Sequence, residues 1–133
     1  MDTSGRKSVS SGTKWEAMAG YSRAVRVGDT IYVAGTTATD ENGALVGGAD
    51  TAAQARYALQ KIERAINSLG GTLRDVVRTC VFVSDIVNWE AAARVHGEFF
   101  SAIRPVNTLV EGRLVGPEYL VEIEAEAVVG SGE

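Results

Sequence analysis

The sequence has one cysteine, one histidine and two prolines in 133 residues, and only 7% of it is aromatic. A lone Cys80 cannot close an internal disulfide, and with a lone His96 and no C-x-x-C pair a zinc site of the usual Cys/His kind is excluded. A carboxylate-only Mg or Ca site stays open on composition, but no EF-hand spacing is present and no metal site is assigned. No run of 18 apolar residues occurs, so nothing is expected to span a membrane. The first residues, MDTSGRKSVSSGTKW, lack the apolar segment of a secretory signal, and a cytoplasmic protein is the default expectation. A basic excess is missing too. Thirteen Lys and Arg against 17 Asp and Glu give a net charge of −4, which argues against a nucleic-acid partner.

What is present suits one ordinary α/β domain. Hydrophobic residues make up 45% of the chain, enough for a core without staples. Residues 1–13, rich in Ser, Gly and Thr, are expected to be a flexible segment ahead of a single domain over 14–130, and the last four residues a tail. Ser22–Val27 and Thr30–Thr36 read as two strands joined by Gly28-Asp29, a two-residue hairpin loop of type II′ chemistry. Asp40 to Asp50 is rich in turn residues. Thr51 to Leu69 carries apolar residues at helical steps (Ala55, Leu59, Ile62, Ile66, Leu69), with Asp50 as N-cap, Thr51 and Gln54 as an alternative capping box, and Gly70-Gly71 as the stop. Val76 to Val83 is apolar on both faces and suits a central strand. Trp89 to Phe100 reads as a second helix capped by Asn88, with Trp89, Ala92, Val95, His96 and Phe99 on one face. Val106–Glu111 and Leu120–Val129 close the chain as strands. The order ββ-α-β-α-ββ implies a two-layer α/β sandwich: a mixed sheet with both helices on one face, the other face bare unless another subunit covers it.

The final strand alternates cleanly and sets Glu122, Glu124 and Glu126 on one side, about 7 Å apart. Such a row is either a solvated outer face or one wall of a cleft in which a Glu acts as a base or orients water. If 106–111 pairs with the last strand, Asn107, Leu109 and Glu111 share one face and suit the wall of a small polar pocket. Gly35 inside a strand marks a bulge or a close approach by a ligand. His96, on the apolar face of its helix, is better read as a core or interface residue than as a general base. Cys80 reads as buried and inert. Gly47-Gly48 lacks the Lys-Ser/Thr of a phosphate cradle.

An ordered set of strings resembles the RidA (YjgF, or L-PSP endoribonuclease-like) family. These are Gly20-Tyr21-Ser22-Arg23-Ala24-Val25 with the Thr30–Gly35 run, Asp75-Val76-Val77-Arg78-Thr79 leading to Val81-Phe82-Val83, Glu98-Phe99-Phe100, Arg104-Pro105, and Leu120-Val121-Glu122-Ile123-Glu124-Ala125. The likeness spans about residues 15–129. It implies a chorismate-mutase-like homotrimer with three intersubunit clefts that bind small carboxylates. In the family's well-known branch these hydrolyse enamines and imines, such as 2-aminoacrylate and 2-iminopropanoate, without metal or organic cofactor. The resemblance puts the positioning Tyr on Tyr21, the cleft strand on Ala34, Gly35 and Thr36, the final-strand Glu on Glu122, and the aromatic from a neighbouring subunit on Trp89. The carboxylate-binding Arg falls on Asn107, and the Cys or Thr two residues later on Leu109.

The departure at Asn107 has a chemical consequence. Arg offers a charged fork to both carboxylate oxygens, whereas Asn offers one neutral amide. A charge-assisted bond contributes about 1.5–3 kcal/mol and a neutral one about 0.5–1.5 kcal/mol, so carboxylate affinity is expected to fall by about one to three powers of ten. Arg113 lies about 20 Å further along an extended strand, and Arg23 and Arg26 sit on opposite faces of the first hairpin. None is placed by the sequence to replace the lost fork. Glu122, without its usual counter-charge, is expected to prefer a neutral or cationic ligand, or to titrate above a normal Glu if buried. Three functions follow as expectations. One is a trimeric metabolite-binding protein with little 2-imino-acid deaminase activity. Another is an enamine or imine hydrolase in which Glu122 directs water and Tyr21 or Thr36 holds the substrate. The third is an RNA-cleaving or chaperone role, which the net charge and the single His disfavour.

Overall fold

The structure, a computed structural model, describes residues 5–132. Among the described residues six strands and three α-helices follow in the order β1 (Arg6–Val9), α1 (Lys14–Ala19), β2 (Ala24–Val27), β3 (Thr30–Thr36), α2 (Thr51–Ser68), β4 (Val76–Val83), α3 (Trp89–Phe100), β5 (Val106–Glu111) and β6 (Val121–Val128). One six-stranded sheet runs β1-β2-β3-β6-β4-β5. Every neighbouring pair is antiparallel except β4 with β5. Helices α2 and α3 pack side by side on one face.

Local chemistry explains the elements. Gly28 takes a φ of 59° in the two-residue turn that joins β2 to β3. The Asp50 carboxylate accepts from the Ala52 and Ala53 amides and starts α2. Gln54 does not complete a capping box with Thr51. Fully buried, it donates to the Gly48 and Glu118 carbonyls and accepts from Leu120 N, which ties the helix start to the chain entering β6. Asn88 makes no side-chain cap either. A single 3-10 turn capped by Asp85 delivers the chain into α3.

The core fills the space between helices and sheet. Leu59, Ile62 and Ile66 of α2 meet Ile31, Val33, Ile123, Ala125 and Ala127, while Val95 and Phe100 of α3 join Val81 and Val83 in the same cluster. Burying a Leu or Ile of this kind contributes about 1.5–3 kcal/mol. The odd residues of β6 are buried and the even ones half-buried, as the alternation predicts.

Three further expectations need correction. The segment expected to be flexible holds β1, which pairs with β2, and Thr13, which caps α1; residues 1–4 of that segment lie outside the described residues. A four-residue exposed strand has no hydrophobic signature, since the edge of β2 supplies its bonds. The expected tail is likewise tied down over 130–132: the Gly130 and Gly132 amides donate to Asp75 Oδ1 at 3.0 and 3.2 Å. Finally, β5 pairs with β4 and not with the last strand, because β6 inserts between β3 and β4. That leaves β5 at the sheet's edge.

Candidate functional site

A bulge in β3 creates the first half of the site. Val33 faces Ala125 and Thr36 faces Ile123, so Ala34 and Gly35 together oppose the single residue Glu124. The extra residue lays Gly35 against Glu122. A Cβ at position 35 would stand 2.3 Å from Glu122 Oε2 and 3.0 Å from its Cδ. Any side chain at 35 would push that carboxylate aside. Both sequence readings of Gly35 are therefore half right: the bulge is real, and the close approach is by the protein's own Glu122.

A buried arginine sets the charge of the pocket. Arg23 Nη1 donates to the Gly35 carbonyl at 2.6 Å and to Thr36 Oγ1 at 3.1 Å, its Nε to Ser11 Oγ, and its Nη2 to Glu16 Oε2 at 3.1 Å. Both ionic groups of the Arg23–Glu16 pair are almost completely buried. Burial opposes the Glu16 charge, but hydrogen bonds from Ser11, Ser10 and Thr13 outweigh it and hold the carboxyl at about 2. The Tyr21 ring lies over Arg23, 5.7 Å from ring centroid to Cζ, and remains 40% exposed at the pocket mouth.

Trp15, Tyr21, Arg23, Gly35, Thr37, Val115 and Glu122 line a cavity of about 200 Å³. Burial raises the Glu122 pKa above the ordinary carboxylate value, with Arg23 pulling it down and Glu124 adding to the rise. The expectation that Glu122 lacks a cation is thus corrected, since Arg23 stands in its pocket. Arg23 is no free carboxylate fork, however, because Ser11, Glu16, Gly35 and Thr36 take four of its bonds.

Tyr21, Gly35 and Glu122 come together as expected. Thr36 does not present its hydroxyl: it is fully buried, donates to the Ala34 carbonyl at 2.7 Å and accepts from Arg23. Thr37 lines the cavity instead. Trp15, Arg23, Thr37 and Val115 went unpredicted as lining residues. Trp15 sits in α1, whose start was legible: Thr13-Lys14-Trp15-Glu16 has the T-x-x-E pattern, and the Thr13 side chain accepts from Glu16 N, while the Glu16 carboxylate turns to Ser10, Ser11, Thr13 Oγ1 and Arg23 rather than closing a capping box.

The second group of residues stands elsewhere. In β5, Asn107 and Leu109 lie beside Thr79 and Val81 and turn toward the helices, whereas Glu122 lies beside Phe82 on the opposite face, two strands away in the sheet. Asn107 Nδ2 donates to Thr79 Oγ1 at 2.9 Å, and Leu109 packs on the core. Trp89, at the start of α3, is 51% exposed, next to the exposed Val87 and Ile86. One chain therefore does not bring Asn107, Leu109 and Trp89 to Glu122. His96 is half-buried between α3 and the sheet, with Nε2 2.7 Å from Thr79 Oγ1 and its pKa lowered by burial. Cys80 is buried with its thiol pKa raised by desolvation, consistent with an inert side chain.

A six-stranded mixed sheet with two helices on one face, and a glutamate cradled on the other by a bulged strand, defines a class of small α/β proteins. Residues 12–129 match the family model described as endoribonuclease L-PSP, and the chain belongs to this family, also called YjgF or RidA. It is 35% identical over 112 residues to the 3-aminoacrylate deaminase RutC of Acinetobacter baylyi, covering 84% of this chain and 89% of that protein. It is 38% identical over 125 residues to the uncharacterized protein SCO2049 of Streptomyces coelicolor, covering 92% of each. The crystal structure of Rv2704 of Mycobacterium tuberculosis, a member of the YjgF/YER057c/UK114 family, superposes with a TM-score of 0.84 at 49% identity, covering 93% of this chain and 99% of that one. Among the described residues no helix is long and apolar enough to cross a membrane.

Proposed function

We propose that this protein is a homotrimer that binds a small metabolite, without a cofactor, in clefts at its subunit boundaries, with weak or no activity toward standard 2-imino acids. In each cleft Glu122, Tyr21 and the Gly35 bulge of one subunit meet Asn107, Leu109 and Trp89 of the next. The observation that carries this reading is the division of the two residue groups between opposite faces of the sheet, which one chain cannot join. The uncovered face supports assembly. Its rows hold Glu122, Glu124 and Glu126 of β6 and Phe82 of β4, with Tyr32, Val106 and Val110 at 50%, 68% and 40% exposure. Arg78 reaches Glu124 and Glu126 across it at 3.7 and 3.4 Å.

Asn107 sets the ligand class. A neutral amide tied to Thr79 leaves a carboxylate without the charged fork that the family places there, so neutral or N–H-bearing ligands gain relative to carboxylates. A second reading, hydrolysis of an enamine or imine, draws on the 3-aminoacrylate deaminase relative and on Glu122. Raised by burial, that carboxyl is suited to passing a proton to and from an attacking water. Sedimentation equilibrium tests the assembly. The reading predicts a particle three times the 14.0 kDa chain, and a stable monomer at micromolar concentration overturns it.

A further inference from the structure

Asn107, Thr79 and His96 stand in line from the sheet's edge to the seam between sheet and helices. Asn107 Nδ2 donates to Thr79 Oγ1 at 2.9 Å, and that oxygen lies 2.7 Å from His96 Nε2. Thr79 is fully buried and carries one hydroxyl proton. While it accepts from Asn107, it can give that proton to His96 only if Nε2 is bare. The amide atom left for a ligand is then Asn107 Oδ1, an acceptor. When Nε2 gains a proton the order reverses. A hydroxyl held between two donors has no acceptor for its own proton, and rotating the amide by half a turn supplies one: His96 donates to Thr79, Thr79 donates to Asn107 Oδ1, and Nδ2 faces outward as a donor.

We propose that Thr79 and His96 are positioning residues, a proton-ordered relay that sets which end of the Asn107 amide faces the ligand. Neutral His96 presents an acceptor for N–H-bearing ligands such as amides and amines; protonated His96 presents a donor for carboxylates. The proposal rests on the intersubunit cleft and names its ligand class. The surroundings of His96 fit a neutral resting state. On this face β4 offers Thr79 and Val81, and β5 offers Asn107 and Leu109, with Glu111 at the far end accepting from Ile86 N. Across the α2–α3 seam, Arg56 is paired with Glu98, and within α3 Arg94 is paired with Glu90. The Phe100 ring lies 4.6 Å from the imidazole, and Arg104 is the charged side chain lining the His96 cavity of about 260 Å³. Burial keeps the imidazole below its ordinary pKa of 6.5, so the acceptor state holds at neutral pH and the switch falls in the acid range.

Two measurements on the full chain test the relay. The first is the nitrogen chemical shifts of His96 at pH 8, with no ligand. The relay requires the Nδ1–H tautomer with Nε2 bare, and an Nε2–H tautomer overturns it. The second is binding of pyruvate and of pyruvamide, which differ by carboxylate against amide, at pH 8 and at a pH below the His96 midpoint read from the same nitrogen shifts followed into acid. In the wild type the preference is expected to move toward pyruvate by about two- to tenfold on acidification, the worth of one neutral hydrogen bond. Glu122 titrates in the same cleft, so the reading lies in the difference from Thr79→Val, which keeps Glu122 but breaks the relay. That variant is expected to lose this part of the shift, and Thr79→Ser to restore it. An equal shift in wild type and Thr79→Val overturns the relay. If neither probe binds at either pH, the cleft reading itself fails, and the tautomer alone decides whether the relay exists.

Discussion

Replacing Gly35 by Ala should separate the packing of the site from its function. The new Cβ would sit 2.3 Å from Glu122 Oε2, against the 3.4 Å or more of ordinary contact, so the carboxylate must retreat by about 1 Å. Gly35 does not have a positive φ, so Ala fits its backbone and gains about 0.4–1 kcal/mol through the unfolded chain. Against this stands overpacking, about 1–3 kcal/mol, and toward the low end because the far end of a glutamate can swing. The net change in stability is therefore small, within about 1 kcal/mol or 3–5 °C of melting temperature. The function should suffer far more. A carboxylate moved by about 1 Å loses its hydrogen bond to the ligand, and a hydrogen bond to a charged group is worth about 1.5–3 kcal/mol, so pyruvamide affinity should fall by about one to two powers of ten. In a Glu122→Ala background the clash is gone, and Gly35→Ala should become stabilising. The double-mutant cycle is expected to give a coupling of about 1–2 kcal/mol. If Gly35→Ala has the same sign and size in both backgrounds, the cradle reasoning is refuted.

Other consequences can be checked by thermal or urea melts and sedimentation. Glu122 has a folded-state pKa raised by burial, so the native state favours its protonated form. That advantage is full below the unfolded carboxylate value and is lost as pH rises through the folded one. Glu122→Gln should then stabilise the protein at pH 8 and change little at pH 4; destabilisation at pH 8 contradicts this. Glu16 is held at about 2, so the stability it contributes is present above its unfolded value near 4.5 and drains away between there and about pH 2. At pH 7 Glu16→Gln should cost about 3–5 kcal/mol by leaving Arg23 buried and unpaired. Glu90→Gln, which breaks the exposed pair with Arg94, should cost under about 1 kcal/mol, and similar losses at the two sites would remove the special role of Arg23. Phe82→Asp, on the uncovered sheet face, should shift the sedimenting particle toward a single chain while leaving helix content unchanged.

Periodicity carried most of the fold, because helices α2 and α3 and strand β6 each bury one face and so print their spacing on the sequence. Strand β1 left no such print, and helix α1 left only the T-x-x-E pattern of its start. They are short, and their stability comes from an edge ladder and from the Arg23–Glu16 pair, a contact between residues seven apart that no local pattern declares. The pairing of β5 was misjudged for a related reason: neighbours in sequence are often neighbours in a sheet, but the last strand enters between β3 and β4. Within the site, Gly35 was legible because a glycine interrupts a strand pattern, whereas Tyr21 and the choice of Glu122 over Glu124 and Glu126 came from the family resemblance, since Glu122 keeps the alternation of its strand. Arg23 was not legible, since an arginine in a hairpin reads as surface until its four partners are seen. The Asn107–Thr79–His96 line was hidden because it joins three elements, each with an ordinary reading of its own.

The most direct test of the central claim is ammonia release from 2-iminopropanoate generated in place by an amino-acid oxidase, with wild type and Asn107→Arg side by side at low and high enzyme. The account predicts an inert or nearly inert wild type and an Arg variant that gains activity by about one to three powers of ten, the worth of the restored charged fork. A wild type that already turns over this substrate at a catalytic rate contradicts it, and the protein is then an ordinary 2-imino-acid deaminase in which Asn107 is no obstacle.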